Sequence, residues 1–472
     1  MTWAPDNMTL CYLKYNESDV PLYSFPLYEG TCDPMTQYAL YPGQFTYKYP
    51  VAGQPNSAVS VHSYDVDNRK TKDITLPGVP AEYIPRLEYA YSSDRVIVTT
   101  LNRAQNRMEL FALNPRSGVA KSLLVEESKA WIEPETYENI KLSETGFVIL
   151  SSRSGFSHAY RYSYAGALER QITKGDFDVT AYYGADARGN HYVQTTENGA
   201  INRVISRIDP KGASRVITPA EGTSSAVFSP DMSSYLLCYS NSSTAPVYTL
   251  YSAPSDKKLR VVEDNSAYAA KYSSAPAKEF ITLPGEGGVR LNAYIIRPAG
   301  FSESKKYPVI LYQYSGPGSQ EVLNRWRMEW TYYYAMKGYV VVCVDPRGTG
   351  GRGREFETVV YKNLGRYETL DLQAAADYIA SQPYADPSRI GITGWSYGGY
   401  ETLMAVSTGR PKFAAAVAIA PVTSWRYYDT VYTERYMLTP GENEDGYDEA
   451  SPLSHVSGMN CPLLIIHGTA DD

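Results

Sequence analysis

A chain of 472 residues is too long for one ordinary domain and suits two or more. Its hydrophobic share of 43% and charged share of 20% belong to a folded globular protein and exclude disorder along its length. A net charge of -7 with no basic stripe argues against nucleic acid as a partner.

Five cysteines (Cys11, Cys32, Cys238, Cys343, Cys461) set no disulfide framework, and Cys343, in an apolar strand, reads as inert core. No apolar run is long enough to span a membrane, and no signal-peptide pattern follows Met1. The 44 tyrosines are the compositional oddity. Tyrosine suits half-buried strands and pockets that are apolar with one polar end.

Residues 1 to about 270 read as β throughout. Turns with an acidic or small polar group recur at 4–7, 92–94, 143–146, 186–189 and 229–231, each ahead of a β run: 10–15, 96–101, 147–151, 192–195 and 235–239. Second strands follow at 108–113, 159–164, 204–208 and 247–251. From Asp94 the acidic turn residues fall at Glu144, Asp186 and Asp231, in steps of 50, 42 and 45. A multi-strand repeat of about 40–50 residues is the signature of a β-propeller, here of about five blades. A β-sandwich with similar turn spacing is the alternative. The interval from Asp6 to Asp94 is 88 residues, one blade plus an insertion. The excess lies near 28–56 and carries Tyr28, Tyr38, Tyr41, Phe45, Tyr47 and Tyr49, which makes it either a protruding contact arm or a self-packed loop.

From 271 to 472 the pattern changes. Strands at 279–283 and 291–297 lead into alternating strands and helices: strand 309–314, helix near 326–336, strand 340–345, helix 370–381, strand 389–393. Leu372, Ala375, Ala376 and Ile379 give the 370–381 helix one apolar face, as a sheet-covering helix needs. Strands follow at 414–419 and 463–467. The domain reads as an α/β sheet with mainly parallel strands.

Between the 389–393 strand and a helix over 400–408 lies Gly394-Trp395-Ser396-Tyr397-Gly398-Gly399-Tyr400. Gly-x-Ser-x-Gly on a strand-to-helix turn is a nucleophile elbow. The turn is too sharp for side chains at the flanking positions, and the helix start aims N–H groups and its positive dipole end at the serine. A bare glycine-rich turn holding a chance serine would not need the strand and the helix. In α/β-hydrolases the triad runs Ser, Asp, His along the chain. Asp471 follows the apolar strand 463–466, in a loop leaving a strand's carboxyl end, where the acid belongs; Asp472 is the neighbouring alternative. Of the five histidines, His62, His158, His191, His455 and His467, none follows Asp471. His467 reads as structural. A base is required to take the serine proton, so the expectation is a fragment cut before its histidine, with the hydrolase sheet truncated at its C-terminal end.

The stretches 394–400, 420–436, 467–472 and 314–320, with weaker similarity through the β half including 259–266, resemble the dipeptidyl peptidase IV group of the prolyl oligopeptidase family. The resemblance covers essentially the whole chain. It implies Ser396 as nucleophile, places Asp471 ahead of Asp472 as triad acid, and makes the Tyr314 hydroxyl with the Tyr397 backbone N–H the oxyanion hole. Trp395, Tyr397, Val422, Trp425, Tyr428 and Tyr432 are then the surroundings of a pocket for proline. A flat, uncharged aromatic slot suits a pyrrolidine ring and penalises charged or long side chains, although on spacing alone this tyrosine run reads as ordinary core. The implied reaction is release of N-terminal dipeptides with Pro or Ala second through an acyl-enzyme, with no cofactor and no metal. The implied partners are peptides with a free amino terminus and, through a propeller arm, a second copy of the chain. The implied location is extracytoplasmic.

Two departures qualify this. The family reads the substrate amino terminus with a Glu-Glu pair just upstream of a Trp-x-Pro-type turn; here that turn is at Trp3–Pro5, so the pair would precede Met1. Glu126-Glu127 reads as a strand end in a later blade and does not take that role. The histidine, and the Asn and Val that follow the Asp-Asp, are also absent from these 472 residues, so the fragment is expected to be inactive. Other members of the family, an acylaminoacyl-peptidase or an oligopeptidase, and a non-catalytic propeller binding protein with a degenerate hydrolase domain, are the alternatives.

Overall fold

In a computed structural model, which describes residues 1–78, 80–408 and 412–471, the β half folds into five four-stranded antiparallel sheets. The strands of each follow one another in chain order, the first sheet skipping the hairpin inserted in it: Thr2–Trp3 to Lys70–Ile74, Tyr83–Tyr89 to Ala120–Glu127, Lys141–Leu142 to Leu168–Gln171, Val179–Ala185 to Ser214–Val216, and Thr223–Phe228 to Lys257–Glu263. Five such sheets, each built from one repeat, are propeller blades, not the two stacked sheets of a sandwich.

The middle strands make the core. Val96–Leu101 and Gly146–Ser151 are buried at every position, whereas the last strand, Lys257–Glu263, is exposed throughout. Cores form between neighbouring blades: Ile97, Leu101, Met108 and Leu110 of the second pack against Phe147, Ile149, Tyr160 and Tyr162 of the third.

The insertion in the first blade is a hairpin, Leu22–Leu27 paired with Gly43–Lys48 in register Leu22↔Lys48. It begins at Leu22, six residues before the expected 28. The strand preceding it alternates polar and apolar residues like its neighbours, so no composition shift marks the branch point. Residues 50–56 are not part of the arm. Ala52 donates its N–H to the Tyr428 carbonyl at 3.0 Å, and Thr430 donates to the Pro50 carbonyl at 2.9 Å, so this segment is stitched to the second half of the chain.

After residues 264–277 comes one seven-stranded sheet, in the order Lys278–Pro284, Arg290–Ile296, Val340–Asp345, Tyr307–Tyr312, Ala385–Trp395, Ala415–Ile419, Leu463–Ile466. The first two strands are antiparallel to their neighbours and the rest run parallel. Val340–Asp345, buried on both faces, is a continuous apolar run ending in aspartate, as an inner parallel strand should be. Helix Arg366–Ser381 covers one face with Leu372, Ala375, Ala376 and Ile379. The architecture is a β-propeller followed by an α/β-hydrolase sheet.

Candidate active site

The Ala385–Trp395 strand delivers the chain to Ser396, and the helix Tyr397–Ser407 starts immediately after it. Ser396 has φ 58°, ψ -116°, outside every comfortable region for a residue with a side chain. Its N–H donates to the Ile419 carbonyl of the adjacent strand at 2.9 Å, and its carbonyl accepts the Tyr400 N–H at 3.0 Å. The glycines are steric requirements. A Cβ on Gly394 would stand 2.4 Å from the Gly398 carbonyl oxygen, and one on Gly398 would stand 2.5 Å from the Gln313 carbonyl oxygen. Ser396 is held up from the sheet edge, exposed, as the elbow requires.

Tyr397, the first helical residue, has a backbone N–H with no intrahelical acceptor. Its side chain points the other way: it is buried, its hydroxyl donates to Glu368 Oε1 at 2.8 Å, and burial, reinforced by the Glu368 charge, holds that hydroxyl protonated far above the ordinary range. The expected helix start at 400 therefore moves to 397, because Gly398 and Gly399 are helical despite their low propensity.

Ser396, Trp395, Val422, Tyr428 and Asp471 line one concavity of about 730 Å³. Asp471 lies off the end of Leu463–Ile466, as expected of the acid; Asp472 lies outside the described residues. His467, read as structural in the sequence, lines the same concavity, with Nδ1 3.4 Å from Asp471 Oδ2. Several lining residues were not anticipated from the sequence, among them Tyr23 of the arm hairpin and Val51 beyond it. The signal for Tyr23 was the aromatic run itself: its ring stands 5.9 Å from Tyr47 and 5.6 Å from Tyr49, so the root of the arm is one aromatic stack ending at the site.

Tyr314 and Tyr432 line a second concavity of about 490 Å³, between the propeller and the hydrolase sheet. Tyr314 lies two residues past its strand, which ends at Tyr312, and its ring is 6.4 Å from that of Tyr397. The loop turns there because Ser315 takes φ 68°. Around this second space Arg354 pairs with Glu133 and lies 4.6 Å over the Trp131 ring, while burial pushes Glu357 up to about 8.

Of the residues expected around a proline pocket, Trp395, Val422 and Tyr428 line the first concavity and Tyr432 the second. Tyr397 and Trp425 line neither: Trp425 is 1% exposed, stacked 5.9 Å from Tyr432 and set edge-on 5.0 Å from Tyr400. The 430–437 helix that carries Tyr432 is capped by Asp429, whose carboxylate accepts the Tyr432 N–H at 2.8 Å. Glu126 is a strand-end residue as expected, buried and engaged by Arg153 and Ser151. Among the described residues, no group of three or more His, Cys, Asp or Glu is placed to hold a metal ion, and no helix is long and apolar enough to cross a membrane.

Comparison with known proteins agrees with this fold. The model of the dipeptidyl peptidase IV N-terminal region matches residues 1–246, and that of the prolyl oligopeptidase family matches residues 326–472. The chain belongs to the dipeptidyl peptidase IV group of the prolyl oligopeptidase family. Within that family, the dipeptidyl peptidase 4 of Porphyromonas gingivalis superposes with a TM-score of 0.95 at 42% identity, over 100% of this chain and 66% of that one. A protein of Fusarium vanettenii named "Probable dipeptidyl-aminopeptidase B" is 33% identical over 502 residues, covering 100% of this chain and 54% of its own length. A protein of Aspergillus flavus named "Probable dipeptidyl peptidase 4" is 31% identical over 495 residues, covering 100% of this chain and 63% of its own length. The chain thus spans between about half and two thirds of the length of these relatives.

Proposed function

We propose that the chain carries the nucleophile, oxyanion donors and proline pocket of a serine exopeptidase that releases N-terminal dipeptides with Pro or Ala second. The observation that carries this is the placement of Ser396. A strained serine at a helix N-terminus opens onto a concavity whose lining includes Val422 and Tyr428.

A five-membered pyrrolidine ring or a methyl group seats against such an apolar wall. With the ring seated, the scissile carbonyl carbon lies before Ser396 Oγ. Oγ adds to that carbon, and the carbonyl oxygen takes up the electron pair as an oxyanion. The Tyr397 backbone N–H and the Tyr314 hydroxyl stabilise that charge. Collapse of the intermediate breaks the C–N bond, the leaving amine takes a proton, and water later hydrolyses the Ser396 ester. The Ser396 proton needs a base to accept it. The one histidine at the concavity among the described residues is His467. The similarity of name and fold to dipeptidyl peptidases supports the substrate class.

By the same reading the arm is a self-association element. Leu40 and Tyr41 at its tip are 88% and 81% exposed, more apolar surface than an isolated arm gains from keeping in water.

A fluorophosphonate probe tests the assignment of the nucleophile. The adduct is expected on Ser396, by peptide mapping, and is expected to be absent from Ser396→Ala. An adduct on any other serine overturns the reading.

A further inference from the structure

Helix Arg366–Ser381 packs along helix Tyr397–Ser407, and their seam holds two glutamates, Glu368 and Glu401, both with no exposure. The peptidase reading uses neither. Two ionised carboxylates in one dry seam are not a stable arrangement: each costs several kcal/mol of lost hydration and each repels the other.

The contacts place them together. Tyr397 and Glu401 are four apart, so they share one face of their helix. Glu368 and Thr369 are adjacent on the other helix. Across the seam the Tyr397 hydroxyl donates to Glu368 Oε1 at 2.8 Å, and the Thr369 hydroxyl donates to Glu401 Oε2 at 3.2 Å. The other two oxygens, Glu368 Oε2 and Glu401 Oε1, have no hydrogen-bond partner among the described residues. A proton held on either carboxyl leaves the seam with one charge instead of two.

Among the described residues no cation forms an ion pair with either carboxyl. Asp371, one turn further along the same helix, is taken by Arg347 through Nε at 2.9 Å and Nη2 at 2.8 Å, with backbone N–H groups of Glu286 and Arg347 completing its shell. Arg347 is therefore spent, and Asp371 adds negative charge that opposes ionisation of Glu368. Tyr400 donates its hydroxyl to the Leu364 carbonyl at 3.0 Å, and the Tyr397 ring packs against those of Tyr400 and Trp425. Burial first, and then the Glu368 charge, hold Glu401 far above the carboxylate range; burial also raises Glu368, with the Tyr397 hydroxyl working against it.

We propose that Glu368 and Glu401 form a proton-holding carboxyl pair that fixes the Tyr397 ring and, through it, the strained Ser396–Tyr397 peptide that presents the nucleophile and the oxyanion N–H. This rests on the peptidase reading of Ser396. Both glutamates are positioning residues, since neither touches substrate. Loss of the proton held by the pair puts two negative charges in the seam, drives the carboxyls apart and frees the Tyr397 ring. Presentation of Ser396 therefore declines on the alkaline side.

The test uses Glu401→Gln, Glu368→Gln and Glu368→Ala in the full chain, with two readouts. Infrared spectra at neutral pH are expected to show a protonated-carboxyl stretch that weakens in either glutamine variant. Absence of any such change overturns the pair. The second readout is the rate of fluorophosphonate labelling of Ser396, with imidazole supplied as base and each variant expressed as a ratio to the unaltered chain at the same pH, so that imidazole titration cancels. Glu401→Gln, neutral at every pH, is expected to stay within about twofold at neutral pH and to gain relative to the unaltered chain as pH rises. Glu368→Ala is expected to fall at least about tenfold, with Glu368→Gln recovering most of the loss because its carbonyl still accepts from Tyr397. A flat Glu401→Gln ratio across pH overturns the positioning role. If Ser396 labels in no form, the peptidase reading fails, and the infrared change alone decides the pair.

Discussion

Arg103 of the second blade grips Glu434 of the hydrolase half from both edges of the carboxylate, Nε to Oε2 at 2.6 Å and Nη2 to Oε1 at 2.7 Å. Glu434 is 1% exposed and takes a third bond from the Gly53 N–H at 2.7 Å. It sits on the helix that carries Tyr432. One ion pair therefore ties three things: a blade, the segment after the arm, and the wall of the site.

Arg103→Met is expected to be costly, because it leaves Glu434 buried and unpaired. Removal of one partner of a buried pair costs about 3–5 kcal/mol. Replacing both, Arg103→Met with Glu434→Leu, is expected to recover most of that. Urea midpoints of the two variants check this; equal destabilisation by the single and the double change would show that packing, not charge, dominates.

Gly398→Ala is expected to destroy the elbow. Its Cβ would meet the Gln313 carbonyl oxygen at 2.5 Å and the Tyr314 Cα at 3.1 Å, backbone that cannot step aside. Ser396 labelling is expected to vanish, with a stability loss of a few kcal/mol. Gly441→Ala, with nothing within 4 Å of the added Cβ, is the control and is expected to be neutral. Labelling retained in Gly398→Ala would mean that the elbow can relax.

These two sites show what the sequence could carry. The elbow was legible because its glycines, strand and helix are contiguous, and each is required by local sterics. The blades were legible through their buried middle strands, such as Val96–Leu101. Their outer strands, Leu168–Gln171 and Ser214–Val216, were not, because a half-exposed edge strand carries no apolar alternation. The Arg103–Glu434 grip joins residues 331 apart, and nothing local marks either one. Trp425 fell behind the wall for the same reason. Aromatic spacing says that a cluster forms, while the neighbouring helices decide which ring faces the opening.

Acid is expected to loosen the propeller through His191. This histidine is buried in the fourth blade, with Nδ1 2.8 Å from the Tyr182 hydroxyl. Burial, then the charges of Arg170 and Arg161, push its pKa down to about 4 from 6.5. A depressed histidine favours the folded state above its unfolded pKa. That stability is fully present above about 6.5 and is lost as pH falls toward 4, about 3 kcal/mol in all. His191→Gln is expected to give a shallower fall in urea midpoint between pH 7 and 4.5. Parallel falls in the two proteins would remove His191 from the account.

The arm is expected to control self-association. The deletion has to spare the segment after it, since residues 50–53 bond Tyr428, Thr430 and Glu434. On the proposed role of the arm, the chain carrying it is expected to be dimeric by light scattering and the chain with residues 24–46 replaced by a short Gly-Ser turn monomeric, with the melting temperature little changed. An unchanged dimer would place the interface elsewhere.

The 472 residues by themselves are expected to leave Gly-Pro-p-nitroanilide essentially intact. On the peptidase reading Ser396 is the nucleophile, yet among the described residues no hydrogen bond links it to a histidine. His467 Nδ1 lies 3.4 Å from Asp471 Oδ2 and 3.2 Å from the Gly468 carbonyl, so its ring is turned toward its own loop. A serine hydroxyl at its free pKa is a poor nucleophile, and an oxyanion hole without a base sustains only a small residue of catalysis. If the missing part is only the base, adding imidazole to the solution is expected to raise Ser396 labelling by about tenfold or more. Ser396→Ala abolishes that labelling and His467→Ala leaves it unchanged. Turnover without imidazole that disappears in His467→Ala would instead make His467 the base. The sequence order of acid and histidine would then be reversed in this chain, with the Asp471 contact as the orienting bond.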